Sequence, residues 1–279
     1  SRNSRRSITS RCSFWTRGIP DRWSARPFLA GIILRRTCFT VWIIRSLAAP
    51  LRPTSLIPMN PVTWMWSRTP IFWMNSIGSP VPQSLAELTD PAYAGLLVVE
   101  NPASSSPGLA FLLTTIAVFG QDGYLDYWRQ LRDNDVLVVD SWDTAYYGEF
   151  AAGTRPMVVS YATSPAAEVY FSEEPLETSP TGAVVTPGTC FRQIEFVGIL
   201  KNSQNRDIAE AFVDYVLSEG FQEDIPLHMW VFPVNDAVAL PEVFAAHATT
   251  AASPASLAPD LIEENREAWI EAWTDVVLR

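Results

Sequence analysis

The chain has 279 residues (31.1 kDa) and is 48% hydrophobic and 12% aromatic against 18% charged, which can offset the ordering entropy of folding and excludes a disordered, collagenous or coiled-coil chain. That length suits one large domain or two modest lobes. The charge is unevenly divided: residues 1 to 80 hold twelve Arg, no Lys and a single acid, Asp21, a balance of +11, whereas residues 81 to 279 carry −21.

Residues 1 to 80 form an anomalous basic, Trp-rich segment. A run of Arg ordinarily meets nucleic acid or an anionic surface, but six of the eleven Trp also lie here, with no Tyr, Lys or Glu, which suits neither a basic arm nor a folded lobe. The apolar run from Phe28 to Ala49 is interrupted by Arg35 and Arg36 and is too short and too charged to span a bilayer. Single-codon residues point elsewhere. Trp64, Met65 and Trp66 fix the bases TGG ATG TGG, and grouping each third base with the next two gives GAT GTG, Asp-Val. The same shift gives Leu-Asp-Glu over Phe72 to Asn75 and a Glu codon over Met59 and Asn60. Much of residues 1 to about 78 therefore reads as an out-of-frame translation of a lobe, and residues 1 to 80 are expected to lack a well-packed core.

From Pro80 the pattern is α/β. Leu96 to Glu100 (LLVVE) predicts a buried strand, followed by the loop NPASSSPG and an apolar helix from Leu109 to Phe119 that Gly120 stops. Asp122 to Asn134 predicts a second helix with Tyr124, Leu125, Trp128 and Leu131 on one face. Val136 to Val139 is the next strand, with Ser141 placed to cap a helix that Gly153 ends; Met157 to Tyr161 is a third, after which Thr163 and Ser164 are placed to cap a helix with Pro165 in its first turn. Glu173 to Gly182 is a loop. Thr189 to Leu200 predicts a strand crossing between lobes, and Asn205 to Leu217 a helix with the apolar stripe Ile208, Ala211, Phe212 and Val216. Residues 226 to 235 form an aromatic loop or short strand, and a last helix from about Ala258 to Leu278 places Trp269 and Trp273 on one face. The expected divisions are 1–80, an α/β ligand-binding lobe over 81–188, and over 189–279 a return strand and helices of the other lobe.

Three times a β run gives way to hydroxyl-rich residues and a helix start: Ser104 to Gly108, Ser141 to Tyr147 and Ser160 to Ala166. In a parallel sheet such turns share the carboxyl edge, where helix N–H groups and positive dipole ends face a ligand. Trp142, Tyr146, Tyr147, Tyr161 and Trp230 lie in or beside these loops and can hold a flat or cationic ligand by their faces, although aromatic residues also fill cores. Ser105, Ser106 and Ser164 suit helix caps, a role compatible with lending a helix start to an anion. His228 and His247 are the two histidines, and no nucleophile elbow, Gly-rich phosphate motif or metal-ligand spacing occurs; Cys12, Cys38 and Cys190 give no disulfide framework.

These turns also carry a resemblance. PQSLAELTDPAYAG, the SSPG turn, SWDTAYYGEF, SYATSPA, DIAEAFVDYVLSEGFQEDIP, MWVFPVN and NREAWIEAWTDVV, collinear from Pro82 to Arg279, resemble the thiamine-binding proteins of bacterial ABC importers, of the two-lobed periplasmic binding protein class. The resemblance implies an α/β, two-lobed periplasmic-binding-protein-like fold, here with an incomplete N-terminal lobe, and a ligand held between the lobes. It places Trp142, Tyr161 and Trp230 on the pocket wall and Ser105 and Ser106 on the phosphate side, with Ala167 where the family has a second tyrosine. Together, turns and resemblance give the candidate ligand-binding set Ser105, Ser106, Gly108, Trp142, Asp143, Tyr146, Tyr161, Ser164 and Trp230, with no catalytic and no metal-binding residue.

The expected function is a non-enzymatic receptor, monomeric and without cofactor, that captures thiamine or a thiamine phosphate and delivers it to a membrane permease. It would work in the periplasm or outside the cell, where a lipoprotein anchor is one possibility, and have no nucleic-acid partner. One alternative keeps the fold and uses the Tyr146 and Tyr147 pair for ferric iron or another cation. Another is a hydrolase using Ser164 or Ser105.

Overall fold

The computed structural model describes residues 41–43, 62–74, 80–200 and 203–279. In chain order the strands are β1 (Val41–Ile43), β2 (Val62–Thr69), β3 (Ile71–Met74), β4 (Leu97–Glu100), β5 (Leu137–Val139), β6 (Met157–Val159), β7 (Thr181–Val184), β8 (Phe191–Gly198) and β9 (Phe232–Pro233). The helices are α1 (Ser106–Asp133), α2 (Ser164–Tyr170), α3 (Arg206–Leu217), α4 (Glu219–Met229), α5 (Glu242–His247) and α6 (Pro259–Val277), with a wide helical segment over Thr144–Phe150.

Two sheets result. The five-stranded sheet has the order β5-β4-β6-β3-β7, with β4 parallel to both β5 and β6 and β3 antiparallel to β6 and β7. The four-stranded sheet has the order β1-β8-β2-β9, in which β8 runs parallel to β1 and antiparallel to β2. The chain passes from one sheet to the other between β2 and β3 through Pro70 alone, and returns between β7 and β8 through residues 185–190.

Strand β4 is buried at all four positions because it lies between two neighbours with side chains packed on both faces. Leu97 and Val99 face α1 and α6, joining Leu109, Phe111, Leu112, Trp128 and Trp273. Val98 faces the other way, toward Phe72, Tyr146, Phe150 and Val158. Trp273 meets Trp128 edge-on with ring centroids 5.4 Å apart, and Trp128 meets Phe111 in the same manner. Helix α6 therefore seals the core of the five-stranded sheet, although it falls in the 189–279 stretch assigned from the sequence to the other lobe. Full burial of each such ring contributes about 1.5 to 3 kcal/mol.

Gly120 interrupts α1 as expected, with φ 74° and ψ 169°, a conformation open to glycine and closed to residues with a Cβ. The two predicted helices are thus two halves of one kinked element.

Four expectations need correction. Residues 226–229, expected in a loop or short strand, form the end of α4, and only Phe232–Pro233 of that stretch is a strand. Strands β2 and β3 fall within the segment expected to lack a packed core, yet Ile71 is 1% and Phe72 0% exposed, because β3 lies between β6 and β7. Residues 1–40, 44–61 and 75–79, on which the rest of that expectation falls, lie outside the described residues. The stripe predicted on α3 is turned by one position: Ile208 is 68% exposed, while Ala209 and Val216 are buried and Phe212 and Val213 are partly so. Finally, neither Thr163 nor Ser164 caps α2, since both hydroxyls bond to other segments.

Candidate ligand site at the carboxyl edge

Because β5, β4 and β6 run parallel, their three exits lie along one edge of the sheet. After β4 the chain turns through Asn101, whose amide donates to the Val139 carbonyl at 2.8 Å, and enters α1 with Ser105 as N-cap. The Ser105 hydroxyl accepts from the Gly108 amide at 3.5 Å. Ser104 Oγ donates to the Asp140 carbonyl at 2.7 Å, and Asn101 Nδ2 to Asp140 Oδ1 at 3.4 Å, so the first turn is lashed to the second. Gly108 allows α1 to start this close to β4: a Cβ there would lie 2.3 Å from the Glu100 carbonyl oxygen. Ser106, the first residue of α1, is half-buried beside the free amides of the helix start.

The second turn is capped as predicted. The Thr144 amide donates to Ser141 Oγ at 3.2 Å, and the two hydroxyls are hydrogen-bonded at 2.9 Å. Trp142 is half-buried, its indole stacked on Tyr146 with centroids 4.8 Å apart and planes 24° from parallel. Tyr147 meets it edge-on at 5.4 Å and Tyr161, on the third turn, lies tilted at 6.1 Å. Asp143 is exposed beside it.

A hydroxyl relay joins the second turn to the third. Trp142 Nε1 donates to Ser160 Oγ at 2.9 Å, and Ser160 Oγ is hydrogen-bonded to Ser164 Oγ at 2.9 Å, with Ser160 fully buried. Behind them the Tyr146 hydroxyl donates to Glu168 Oε1. Burial raises the Tyr146 phenol well above the usual tyrosine range, and the Glu168 carboxylate raises it further. The exposed Tyr147 is raised as well, by burial of part of its ring and then by Asp143 and Glu168.

Trp230 belongs to a second aromatic group. It sits at the end of α4 in the left-handed conformation (φ 56°), stacked on Phe244 at 5.6 Å with Tyr170 and Phe171 at 5.3 and 5.1 Å. Thr163 Oγ1 donates to its carbonyl at 2.6 Å, which ties the start of α2 to the end of α4. The structure thus brings Trp142, Tyr146, Tyr161 and Ser164 into one cluster, sets Ser105, Ser106 and Gly108 on the adjoining turn, and connects Trp230 through Thr163 rather than through its ring.

Sequence reasoning missed Ser160, which holds the indole, and Glu168, which holds Tyr146, and gave Thr163 only a capping role. Ser160 lies in the turn singled out, but a mid-turn serine carries no signal of a side chain directed inward. Glu168 does have one: it is four residues beyond Ser164, one helical turn away.

An aromatic face with its N–H already engaged attracts a flat cation, and an adjoining helix start with free amides accepts an anion. Two sheets joined by two short crossings, with such an edge between them, define an α/β solute-binding protein. The chain belongs to the bacterial extracellular solute-binding protein family, whose model matches residues 75–252. It is 33% identical over 198 residues to the thiamine-binding periplasmic protein of Salmonella typhimurium, covering 71% of this chain and 58% of the relative. To that of Escherichia coli it is 32% identical over 209 residues, covering 75% and 61%. The chain therefore spans about three-fifths of the length of these relatives. Among solved structures, a periplasmic thiamin binding protein superposes with a TM-score of 0.65 at 26% identity, covering 81% of this chain and 70% of the other.

Proposed function

We propose that this chain is the receptor of a bacterial importer that captures thiamine or a thiamine phosphate and presents it to a membrane permease, acting as a monomer without cofactor or catalytic step. It works outside the cytoplasmic membrane, in the periplasm or tethered there as a lipoprotein. The observation that carries this reading is Trp142, fixed at the carboxyl edge by Ser160 and backed by Tyr146, one turn away from the α1 start. The thiazolium ring is a delocalised cation that stacks on the indole, each such contact contributing about 0.5 to 2 kcal/mol. Tyr161 and Trp230 supply further walls, and Asp143 adds negative charge at the rim. A phosphate tail lies at Ser105 and Ser106, where Gly108 lets the helix start approach; Ser164 holds Ser160 in place. Similarity to thiamine-binding periplasmic proteins over most of the chain supports the choice of ligand.

Geometry disfavours the ferric alternative. Tyr146 is buried with its hydroxyl turned onto Glu168, whereas Tyr147 is exposed and meets it edge-on, so the two phenols do not present a common pair of oxygens to an ion. Thermal shift with thiamine, thiamine phosphate, ferric citrate and an ester substrate tests all readings together. Thiamine is expected to raise the melting temperature with a concentration dependence, with no ester turnover. Stabilisation by ferric citrate alone would overturn the proposal.

A further inference from the structure

Glu100 ends β4 with its side chain fully buried, and neither carboxyl oxygen has a hydrogen-bond partner among the described residues. The β4–β5 register fixes the direction of the side chain. Val98 opposes Leu137 and Glu100 opposes Val139, and residues directly opposite share a face. Val98, Leu137 and Val139 all pack in the cluster that holds Tyr146 and Trp142, whereas Leu97, Val99 and Val138 pack on the α1 side. Extending the β4–β6 register by two residues sets Ser160 level with Glu100. A buried acid therefore lies on the face of the sheet that carries the aromatic pair, one strand away from the serine that holds the indole.

The elements packed on β4 bring little charge to it. Strands β5 and β6 carry no titratable residue, and the titratable residues of α1, from Asp122 to Asp133, all lie beyond its kink. The segment Thr144–Phe150 carries Tyr146, Tyr147 and Glu149, of which Tyr146 packs on this face with Glu168 behind it. Asp140 and Asp143 are exposed at the rim. Burial raises the Glu100 carboxyl well above the usual range. An isolated buried carboxylate is costly, so this group keeps its proton until a positive charge arrives.

We propose that Glu100 is a proton-linked counter-charge for the ligand: its carboxyl is protonated while the site is empty and releases the proton to solvent when a cationic ring stacks on Trp142. The O–H bond breaks, its electron pair stays on the carboxylate, and the cation entering replaces the proton leaving. This inference rests on the thiamine reading, which supplies the cation. Affinity for a cationic ligand then rises with pH while Glu100 is being titrated, by up to about tenfold per pH unit, and affinity for a neutral one does not.

Calorimetric titration of the chain with thiamine, in two buffers of different ionisation enthalpy, counts the protons released. Wild type is expected to release up to about one proton per thiamine and none with thiochrome, the neutral tricyclic derivative. Glu100→Gln, which keeps the shape and cannot ionise, is expected to release none and to bind thiamine with no rise in affinity with pH. Equal proton release by wild type and variant overturns the Glu100 inference and leaves the thiamine reading standing. No binding of thiamine by either form overturns the thiamine reading and the coupling that rests on it. The ligand-free proteins give an independent check, since melting temperature against pH must fall in wild type relative to Glu100→Gln from the ordinary carboxylate range upward. Parallel curves overturn the inference whatever thiamine does.

Discussion

The indole N–H of Trp142 donates to the hydroxyl of Ser160 across eighteen positions of sequence, at 2.9 Å, so the ring that stacks on Tyr146 of its own turn is also held from the exit of β6, on the far side of β4. Trp142→Phe keeps a face and loses the bond. It is expected to cost about 1 kcal/mol of stability and to loosen the ring. Trp142→Ala removes the face and should weaken thiamine and thiamine phosphate alike, by about 1 to 2 kcal/mol. Binding calorimetry with both ligands checks this, and no loss in the alanine variant would return Trp142 to a packing role.

Ser106 separates the two ligands. Its hydroxyl lies at the first turn of α1, where free amides favour an anion. Ser106→Ala should weaken thiamine phosphate by about 1 kcal/mol and leave thiamine nearly unchanged. Equal losses for both would exclude a phosphate at this turn.

Gly108→Ala tests how the edge is built. The added methyl would fall 2.3 Å from the Glu100 carbonyl oxygen and 2.8 Å from its carbon, atoms that cannot rotate away. Displacing the start of α1 should cost about 1 to 3 kcal/mol, measured by denaturant unfolding, and should also weaken phosphate binding. Unchanged stability would show that the helix start can shift freely.

Tyr146 gives a signature in alkali. Its phenol is raised by burial first and by Glu168 second, so between the unfolded value of about 10 and its folded value the unfolded chain holds fewer protons. Stability is then undiminished below about pH 10 and falls as pH rises above it. Tyr146→Phe should lessen that alkaline fall while costing about 1 kcal/mol near neutrality for the lost bond to Glu168. Glu168→Gln should lower the Tyr146 pKa only part of the way, because burial remains. Tyrosinate absorbance during alkaline titration, taken as the difference from Tyr146→Phe, reads the shift.

The coding DNA tests the reading of residues 1 to about 78. A single-base shift should open an acidic frame containing Asp-Val at Trp64 to Trp66 and Leu-Asp-Glu at Phe72 to Asn75. A stop codon in each shifted frame would end the idea.

Much of the larger sheet was legible because β4, β5 and β6 are short β-branched runs bounded by turn residues, a local signal, and because successive parallel strands with helical crossovers place their exits on one edge. Pairing between distant segments leaves no such trace: nothing in Val62–Thr69 or Phe191–Gly198 announces the other as partner, and that register is decided by the whole sheet. The error on α3 has the same origin. Ile208 is apolar and correctly spaced, but the helix packs through Ala209, Phe212, Val213 and Val216, and a single position of rotation leaves Ile208 in water. Likewise Thr163 reads as a cap until Trp230, sixty-seven residues away, competes for its hydroxyl. Trp142 and Tyr161 were legible as neighbours; the ring partners of Trp230 were not, because Phe244 approaches from another helix.

Pro70 joins β2 to β3 with no slack. Thr69 pairs with Phe191 in one sheet and Ile71 with Val184 in the other, so two positions on this side match seven on the return side. The two crossings are held differently: one is a single proline whose ring locks φ, the other, residues 185–190, is anchored by the Thr186 hydroxyl donating to the Gln83 carbonyl, the Thr189 hydroxyl donating to the Val184 and Thr186 carbonyls, and the Gly188 amide donating to the Ser253 carbonyl. The chain crosses once more between β9 and α6, and of these connections the one through Pro70 has the least slack. The Pro70 carbonyl accepts from the Ser160 amide at 3.1 Å, and the Ser160 hydroxyl carries Trp142. The start of β3 at the crossing and the hold on the stacking ring thus share one serine, whose backbone serves the first and whose hydroxyl serves the second.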